Sequence, residues 1–554
     1  MLHIKVITCT GRDTYKLYKD GQNSRILIKL LFPKLLSTSY SIMQKCFLLF
    51  LFVLLIPSVQ LNAQQAPLWG SLESGKYSVG FKVLYVEDDS RSYSGLNGDS
   101  TITKRPLEIR MWYPAKFKSR ALQMKYGDYL NYSLNHPSLT NRLLSNRSIQ
   151  TTKSLLGQDT ERFAKLKEIP VLAYGNAKPE KGKFPLLVYS MGLTDGWDEN
   201  VVLWEYLASK GYVVLVSPSQ GFSSLKLAFN QPNFETAARD MEILIEEGKK
   251  LPFVDGESIG ALGFSYGGQV ALYLAMRNKN IDAVAGIDPS FSHKTYLKTL
   301  TSAPFYNVKF KAPLLHIYNS YEDSDLSVVD SLKHAEQERL SFHDNVVGHV
   351  DFVSYTKSMT LTMPDSLQEQ RQARTEAYEV ICRKVGAFFD RHLKGSIHEG
   401  AASPLSSVLK NKMVEKSYKA VPVSPTAAEL MQLLYENKVQ EWVKEMEKIR
   451  TLEPSSPFLA VPAITSMSYE LISTGMFEDA LKVLHYGTSL HPKSAVMYDY
   501  VAEAYVRMND QKKAIEAYST LLQLAESDPY INEDTKNALI QSAKKAMQEF
   551  TQKS

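Results

Sequence analysis

The sequence predicts an α/β fold with a mostly parallel sheet covered by helices on both faces, followed by an all-α region. Short β-branched runs alternate with amphipathic stretches from about residue 64 to 415. The later strand patterns are continuous apolar runs, which are typical of buried parallel strands. After the proline-bearing stretch 421–425 the strand patterns end and helix-forming residues prevail. The 554 residues, 44% of them hydrophobic, allow about two to four domains.

Composition excludes several classes of protein. Three cysteines, Cys9, Cys46 and Cys382, are too few and too far apart for a disulfide scaffold or a zinc unit. The formal charge of +5 is concentrated in residues 1–63, which hold eight Lys or Arg and two Asp, so the remainder carries about −1. Since no basic surface is left after this leader, we expect no nucleic-acid partner.

The N-terminal segment has the layout of an export signal. A short charged stretch begins at Met43, and a ten-residue apolar run over 47–56 precedes a proline and Ala63. This run is shorter than the roughly 20 apolar residues of a transmembrane helix. We interpret residues 1–42 as an over-called extension and 43–63 as a signal peptide cleaved near Ala63, with an uncleaved membrane anchor as the alternative. The predicted localisation is therefore periplasmic or extracellular.

The apolar patterns place individual elements within a first domain, 64–415. We predict strands over 79–85, 107–113, 186–189, 213–217, 259–264, 283–287 and 314–318, and helices over 199–210, 233–250, 269–277 and 377–393. The segment 121–183 is rich in Asn, Ser and Lys and has weak helical periodicity. We interpret it as an insertion near the mouth of the site, which is either a lid or a plain surface loop.

An internal repeat follows in the helical region. Residues 475–481 and 509–515 align at an offset of 34 residues, with Ala480 opposite Ala514. A period of 34 is that of tetratricopeptide repeats, each of which is a pair of antiparallel helices. The segment 426–548 therefore resembles such repeats, and a generic helical bundle is the alternative.

The chemistry is predicted at Ser265. The run 259–264 is an apolar strand, the motif Gly263-Phe-Ser-Tyr-Gly267 follows it, and a helical pattern begins at Gln269. A G-x-S-x-G motif between a strand and a helix is the signature of a nucleophile elbow. The turn also places the serine at a helix N-terminus, where backbone N–H groups can stabilise an oxyanion. We predict that Ser265 is a nucleophile; a structural turn serine is the alternative.

The general base is predicted at His349. In this kind of site the acid and then the histidine follow the serine along the chain. His349 lies in a loop after the last predicted strand and before a helix. His343, six residues earlier, is the competing base. By contrast, we expect His316 to be packed inside a strand and His392 to be a solvated cap near a helix end.

Three aspartates compete for the role of the acid. Asp288 directly follows the strand after the nucleophile helix, whereas Asp323 and Asp325 follow the next strand. The later position is the commoner one in this kind of fold, and spacing alone does not choose among the three.

Several motifs together resemble the platelet-activating-factor acetylhydrolase branch of the α/β-hydrolase superfamily, which grades into dienelactone-hydrolase-like proteins. The resembling stretches are 110–115, 183–193, 263–268, 287–289, 313–320 and 348–352. The resemblance implies an α/β-hydrolase fold, Asp288 as the acid, and the backbone N–H groups of Leu193 and Tyr266 as the oxyanion hole. The chain departs from that family at Met191-Gly192, where the family has His-Gly, and this change leaves the backbone donor in place.

The predicted function is an exported serine hydrolase that cleaves carboxylic esters of small-molecule or lipid-like substrates through an acyl-enzyme. We expect no metal or other cofactor, because the sequence has no H-E-x-x-H motif, no cysteine pair and no dinucleotide or P-loop motif. Two alternatives stay open: a serine peptidase of the prolyl-oligopeptidase type, and an inactive hydrolase-fold protein that binds through its repeats. The repeats either recruit a protein partner or pack on the hydrolase domain.

Overall fold

The computed structural model describes residues 66–93, 103–116, 122–193, 196–222, 225, 227–291, 294–321, 324–396 and 405–553. The predicted extension and signal peptide, and the alternative acid Asp323, lie outside these residues. None of the helices in this part of the chain is both long and apolar enough to cross a membrane.

The described residues form one sheet of eleven strands in the order β11-β10-β9-β8-β7-β5-β6-β2-β1-β4-β3. In chain order the strands are β1 (Ser78–Tyr93), β2 (Thr103–Ala115), β3 (Gln123–Lys125), β4 (Pro170–Gly175), β5 (Phe184–Ser190), β6 (Val213–Ser217), β7 (Val254–Phe264), β8 (Ala283–Ile287), β9 (Leu314–Asn319), β10 (Gln337–Phe342) and β11 (Met413–Tyr418). The six central strands from β6 to β10 pair in parallel. The predicted mostly parallel sheet is therefore confirmed.

Helices cover both faces of this sheet. In chain order they are α1 (Tyr126–Asn131), α2 (Leu139–Leu155), α3 (Thr160–Glu168), α4 (Val201–Ser209), α5 (Gln231–Lys249), α6 (Tyr266–Arg277), α7 (Lys294–Thr301), α8 (Ser327–Ser331), α9 (Tyr355–Leu361), α10 (Asp365–Gln370), α11 (Gln372–Lys394) and α12 (Ser407–Lys410). Side chains of β5 alternate between the two faces, since successive residues of a strand point in opposite directions. Leu187 and Tyr189 pack with α4 and α11, whereas Leu186 and Val188 pack with α5 and α6. Burial on both faces explains the continuous apolar runs in the sequence.

The predicted strand bounds agree with the structure where a strand is a continuous apolar run, and they differ where a strand extends into polar residues. The predicted strands 213–217 and 283–287 coincide with β6 and β8. In contrast, β7 begins at Val254, because Val254 and Asp255 still pair with β5. The polar residues 256–258 then form a bulge, and pairing resumes at Ile259. These polar residues lie at the end of the sheet, where burial does not require an apolar side chain.

The segment 121–183 is not a plain surface loop. Within it, β4 pairs in parallel with β1, and three helices precede β4. Helix α2 has a buried polar face on which Ser148 accepts from the Trp197 N–H at 2.6 Å and Thr152 donates to Asp198 at 2.6 Å. Because this face is polar, it does not produce the apolar periodicity that marks a helix in the sequence.

The C-terminal part consists of helices. They are α13 (Ala427–Tyr435), α14 (Val439–Leu452), α15 (Val461–Ser473), α16 (Phe477–Leu490), α17 (Ala495–Arg507), α18 (Gln511–Leu524) and α19 (Glu533–Lys553). Every bound of α15 and α16 recurs 34 residues later in α17 and α18. Their apolar side chains form a cluster that shares no residue with the two clusters on the sheet.

A chain that ends after Val423 is expected to fold without the C-terminal helices. It keeps β11 on the sheet edge and the hydrogen bond from the Val421 N–H to the Lys333 carbonyl at 2.8 Å. Because the helices form their own core, we expect the rate of hydrolysis predicted from the sequence to stay within about threefold of that of the full chain. Size-exclusion chromatography and an ester assay check this, and aggregation of the shortened chain would contradict it.

Candidate active site

Ser265 lies in a sharp turn between β7 and α6. Its φ of 53° and ψ of −125° are unusual for a side-chain-bearing residue. The Ser265 N–H donates to the Ile287 carbonyl at 2.9 Å, which fixes the turn against β8. A Cβ on Gly267 would stand 2.0 Å from the Ser190 carbonyl oxygen, and one on Gly263 would stand 2.3 Å from the Gly267 carbonyl oxygen. The two glycines of the motif are therefore required by close backbone contacts.

His349 begins a short 3₁₀ helix that follows β10. Its Nε2 lies 3.0 Å from Ser265 Oγ, and its ring packs on the Phe264 ring with the centroids 4.6 Å apart. The loop that carries His349 is fixed by Asp351, a fully buried residue whose carboxylate accepts from the Gly348 N–H at 2.8 Å. Asp351 is itself paired with Arg371 at 2.6 Å, so the loop has a rigid support.

Asp288 directly follows β8 and faces the other nitrogen of the same imidazole. Asp288 Oδ2 lies 2.6 Å from His349 Nδ1. An ionised carboxylate can only accept a hydrogen bond, so Nδ1 carries the proton and Nε2 accepts from the Ser265 hydroxyl. This tautomer is the one that a general base needs in order to remove the serine proton.

The backbone around Asp288 is also constrained. Asp288 has a positive φ of 41°, and its N–H donates to the Ile317 carbonyl at 2.7 Å. Its Oδ1 faces the Asn319 N–H at 3.4 Å. The carboxylate is therefore oriented by β9 on one side and by the imidazole on the other.

The other predicted residues lie elsewhere. Asp325 accepts from the Ser327 N–H at 2.9 Å, in the turn before α8. His343 lies 2.9 Å from the Ser341 hydroxyl at the end of β10. His316 is buried in β9, as predicted, and burial lowers its pKa to about 3. The solvated position predicted for His392, near the end of α11, is wrong: its side chain is only 12% exposed, its ring packs on that of Phe388, and burial lowers its pKa.

A cavity of about 290 Å³ opens beside Ser265, Asp288 and His349. Leu193 and Tyr266, whose N–H groups the family resemblance assigns to an oxyanion hole, both line it. The described residues that line the cavity come from loops that follow the central strands. None of them belongs to the segment 121–183, so the cavity lining does not support the interpretation of that segment as a lid. The lining residues are Leu193, Phe229, Ser265, Tyr266, Asp288, Ser290, Tyr321 and His349.

Sequence reasoning missed two supporting residues. Asn319 ends β9, and its side-chain amide donates to the Val347 carbonyl at 2.8 Å, which ties the strand beside Asp288 to the loop of His349. Asp351 supports the same loop from the other side. A polar residue at the end of an apolar strand was a usable signal for Asn319, whereas nothing local in the sequence indicates the partners of Asp351.

The described residues hold no group of three or more His, Cys, Asp or Glu side chains arranged to bind a metal ion.

The central parallel sheet and the strand–turn–helix around Ser265 have the arrangement of the α/β-hydrolase fold. Comparison with known proteins finds one matching family model. Residues 243–376, about a quarter of the chain, match the family model "BAAT / Acyl-CoA thioester hydrolase C terminal". The matched residues include Ser265, Asp288 and His349.

Two individual proteins illustrate the similarity. The chain is 32% identical over 123 residues to acyl-coenzyme A thioesterase 3 of Mus musculus, and this match covers 21% of the chain and 25% of the relative. The chain thus spans about a quarter of the length of this curated relative. Among solved structures, a ferulic acid esterase from Streptomyces cinnamoneus superposes with a TM-score of 0.44 at 19% identity, over 63% of this chain and 98% of that one.

Proposed function

We propose that the protein hydrolyses carboxylic esters or thioesters with Ser265 as the nucleophile. The observation that carries the proposal is the hydrogen-bonded series from Ser265 Oγ to His349 Nε2 at 3.0 Å and from His349 Nδ1 to Asp288 Oδ2 at 2.6 Å. In the first step Ser265 attacks the acyl carbonyl while His349 removes its proton. Asp288 holds the productive tautomer and stabilises the imidazolium that forms.

The tetrahedral intermediate then needs hydrogen-bond donors for its oxyanion. We assign this role to the N–H groups of Leu193 and Tyr266, the latter being the first residue of α6, where no intrahelical acceptor is available to it. Each such donor is typically worth about 3–4 kcal/mol of transition-state stabilisation. The protonated His349 next donates to the leaving alcohol or thiol, and water activated by the same imidazole releases the acid.

We include thioesters with oxygen esters as proposed substrates, because residues 243–376 match a family model of thioester hydrolases. A panel of p-nitrophenyl esters from acetate to laurate, assayed beside acyl-coenzyme A thioesters of the same chain lengths, tests the choice. We expect turnover of at least one series and labelling of Ser265 by a fluorophosphonate probe. A protein that turns over neither series and does not react with the probe would be an inactive binding protein, and one that cleaves only peptides would be a peptidase.

We also propose that the protein is exported. Residues 43–63 have the layout of a signal peptide, and cleavage is expected near Ala63. Expression of the full chain in a Gram-negative host, followed by fractionation and N-terminal mass spectrometry, checks this. Cytoplasmic protein that retains residues 43–63 intact would contradict it.

The C-terminal helices are proposed to be tetratricopeptide-like repeats that offer a surface for a protein partner. The support is the 34-residue offset between α15–α16 and α17–α18 and the burial of Ala480 and Ala514 at equivalent positions.

A further inference from the structure

A buried carboxylate lies behind the residues that are proposed to bind the oxyanion. Glu199 lies two residues before α4, which begins at Val201, and is fully buried. Its Oε1 accepts from the Tyr189 hydroxyl at 2.5 Å, and its Oε2 accepts from the Gly192 N–H at 2.8 Å. Gly192 directly precedes Leu193. We name residues 191–193 the oxyanion loop.

The position of Glu199 is itself fixed by backbone contacts. Its N–H donates to the Gly196 carbonyl at 3.1 Å, and its carbonyl accepts from the Ser354 hydroxyl at 3.0 Å. Burying a carboxylate is costly unless hydrogen bonds compensate it. Here the compensation comes from β5, through Tyr189, and from the oxyanion loop, so the carboxylate links the loop to the rigid sheet.

One peptide group of the oxyanion loop is thereby held from both sides. The N–H of Gly192 is bound by Glu199, and the carbonyl of the same peptide group, on Met191, accepts from the Ser219 hydroxyl at 3.2 Å. Rotation of this peptide plane would break both hydrogen bonds. The next peptide group carries the Leu193 N–H, so its direction depends on the plane that Glu199 fixes.

We propose that Glu199 is a positioning residue for the oxyanion site: it fixes the peptide plane before Leu193 so that the Leu193 N–H points at the developing oxyanion. The inference rests on the proposed function, since it presumes an acyl substrate on Ser265. It adds a residue that does not touch the substrate and acts through the backbone of the loop.

The test uses Glu199→Leu, which removes both acceptors, and Glu199→Gln, whose amide oxygen can still accept from the Gly192 N–H. A displaced oxyanion donor affects mainly the transition state, so kcat of the full-length Glu199→Leu enzyme should fall about 10–100-fold while KM stays within about threefold. Glu199→Gln should keep kcat within about fivefold. The affinity for an alkyl boronic acid, which forms a tetrahedral adduct on the serine, should fall in parallel with kcat for Glu199→Leu.

Asp198→Asn is the matched control. Asp198 is the neighbouring carboxylate, is equally buried, and accepts from the hydroxyls of Tyr126 and Thr152, both at 2.6 Å. None of these contacts reaches the oxyanion loop. We expect Asp198→Asn to lower the thermal midpoint and to leave kcat within about threefold of the wild type.

Each outcome has a defined meaning. A folded Glu199→Leu enzyme with kcat within threefold of the wild type would overturn the positioning role, and so would an equal loss of kcat in Asp198→Asn. If Glu199→Leu does not fold, Glu199→Asp replaces it with the same thresholds, since a side chain shorter by one methylene cannot reach the Gly192 N–H. An inactive Ser265→Ala beside a fully active Glu199→Leu would remove only this inference, whereas an active Ser265→Ala would remove the proposed function itself.

Discussion

Ser265→Ala is expected to lower kcat for ester hydrolysis by about 10⁵–10⁶-fold, because serine, histidine and aspartate act as one unit and the nucleophile cannot be replaced by its partners. The substitution keeps a Cβ in the turn with φ of 53°, so the backbone geometry does not change. Circular dichroism and the thermal midpoint should therefore match those of the wild type. A stopped assay with p-nitrophenyl acetate measures the residual rate.

Ser217→Ala provides the control for that loss. Ser217 is the last residue of β6, the strand next to β5. Its buried hydroxyl has no hydrogen-bond partner among the described residues. Removing this hydroxyl should change kcat by less than about twofold. Turnover by Ser265→Ala within tenfold of the wild type would show that another group is the nucleophile.

The sheet was predictable from the sequence where burial alone determines the residue type. Apart from Ser217 at the end of β6, strands β6 and β8 carry no polar side chain because helices cover both faces, and a continuous apolar run is sufficient to find them. Helix α2 was missed because its buried face contacts polar groups, among them Asp198. Periodicity reports hydrophobic burial, and it does not report burial through hydrogen bonds.

The candidate site was predictable to the extent that its residues lie in local motifs. Ser265 follows from the strand–turn–helix pattern, and His349 follows from its place after the last predicted strand. Some supports of these residues are contacts between distant segments, such as that between Asn319 and Val347 or between Ser219 and Met191. The place of Asn319 at the end of an apolar strand marks that residue, but a single sequence carries no signal that pairs it with Val347.

The choice of the acid is the prediction with the next largest effect. Asp288→Asn is expected to lower kcat by about 10³–10⁴-fold. The reason lies in the two partners of the carboxylate: Oδ1 faces the Asn319 N–H at 3.4 Å, and Oδ2 faces His349 Nδ1 at 2.6 Å. In the variant the amide oxygen turns to the Asn319 N–H, so the amide nitrogen donates to Nδ1. The imidazole then carries its proton on Nε2 and cannot accept the proton of Ser265.

Asp325→Asn and Asp323→Asn are the matched comparisons. Asp325 accepts from the Ser327 N–H at 2.9 Å, a contact that an asparagine oxygen can also make, so kcat should stay within about threefold. Turnover of the three variants is measured at one pH, with circular dichroism as the control for folding. A loss of 10³-fold or more in Asp323→Asn or Asp325→Asn, beside a near-normal Asp288→Asn, would move the acid to the loop after β9. Asp288 would then serve to orient that loop through Asn319, and the resemblance to the acetylhydrolase branch would lose its main support.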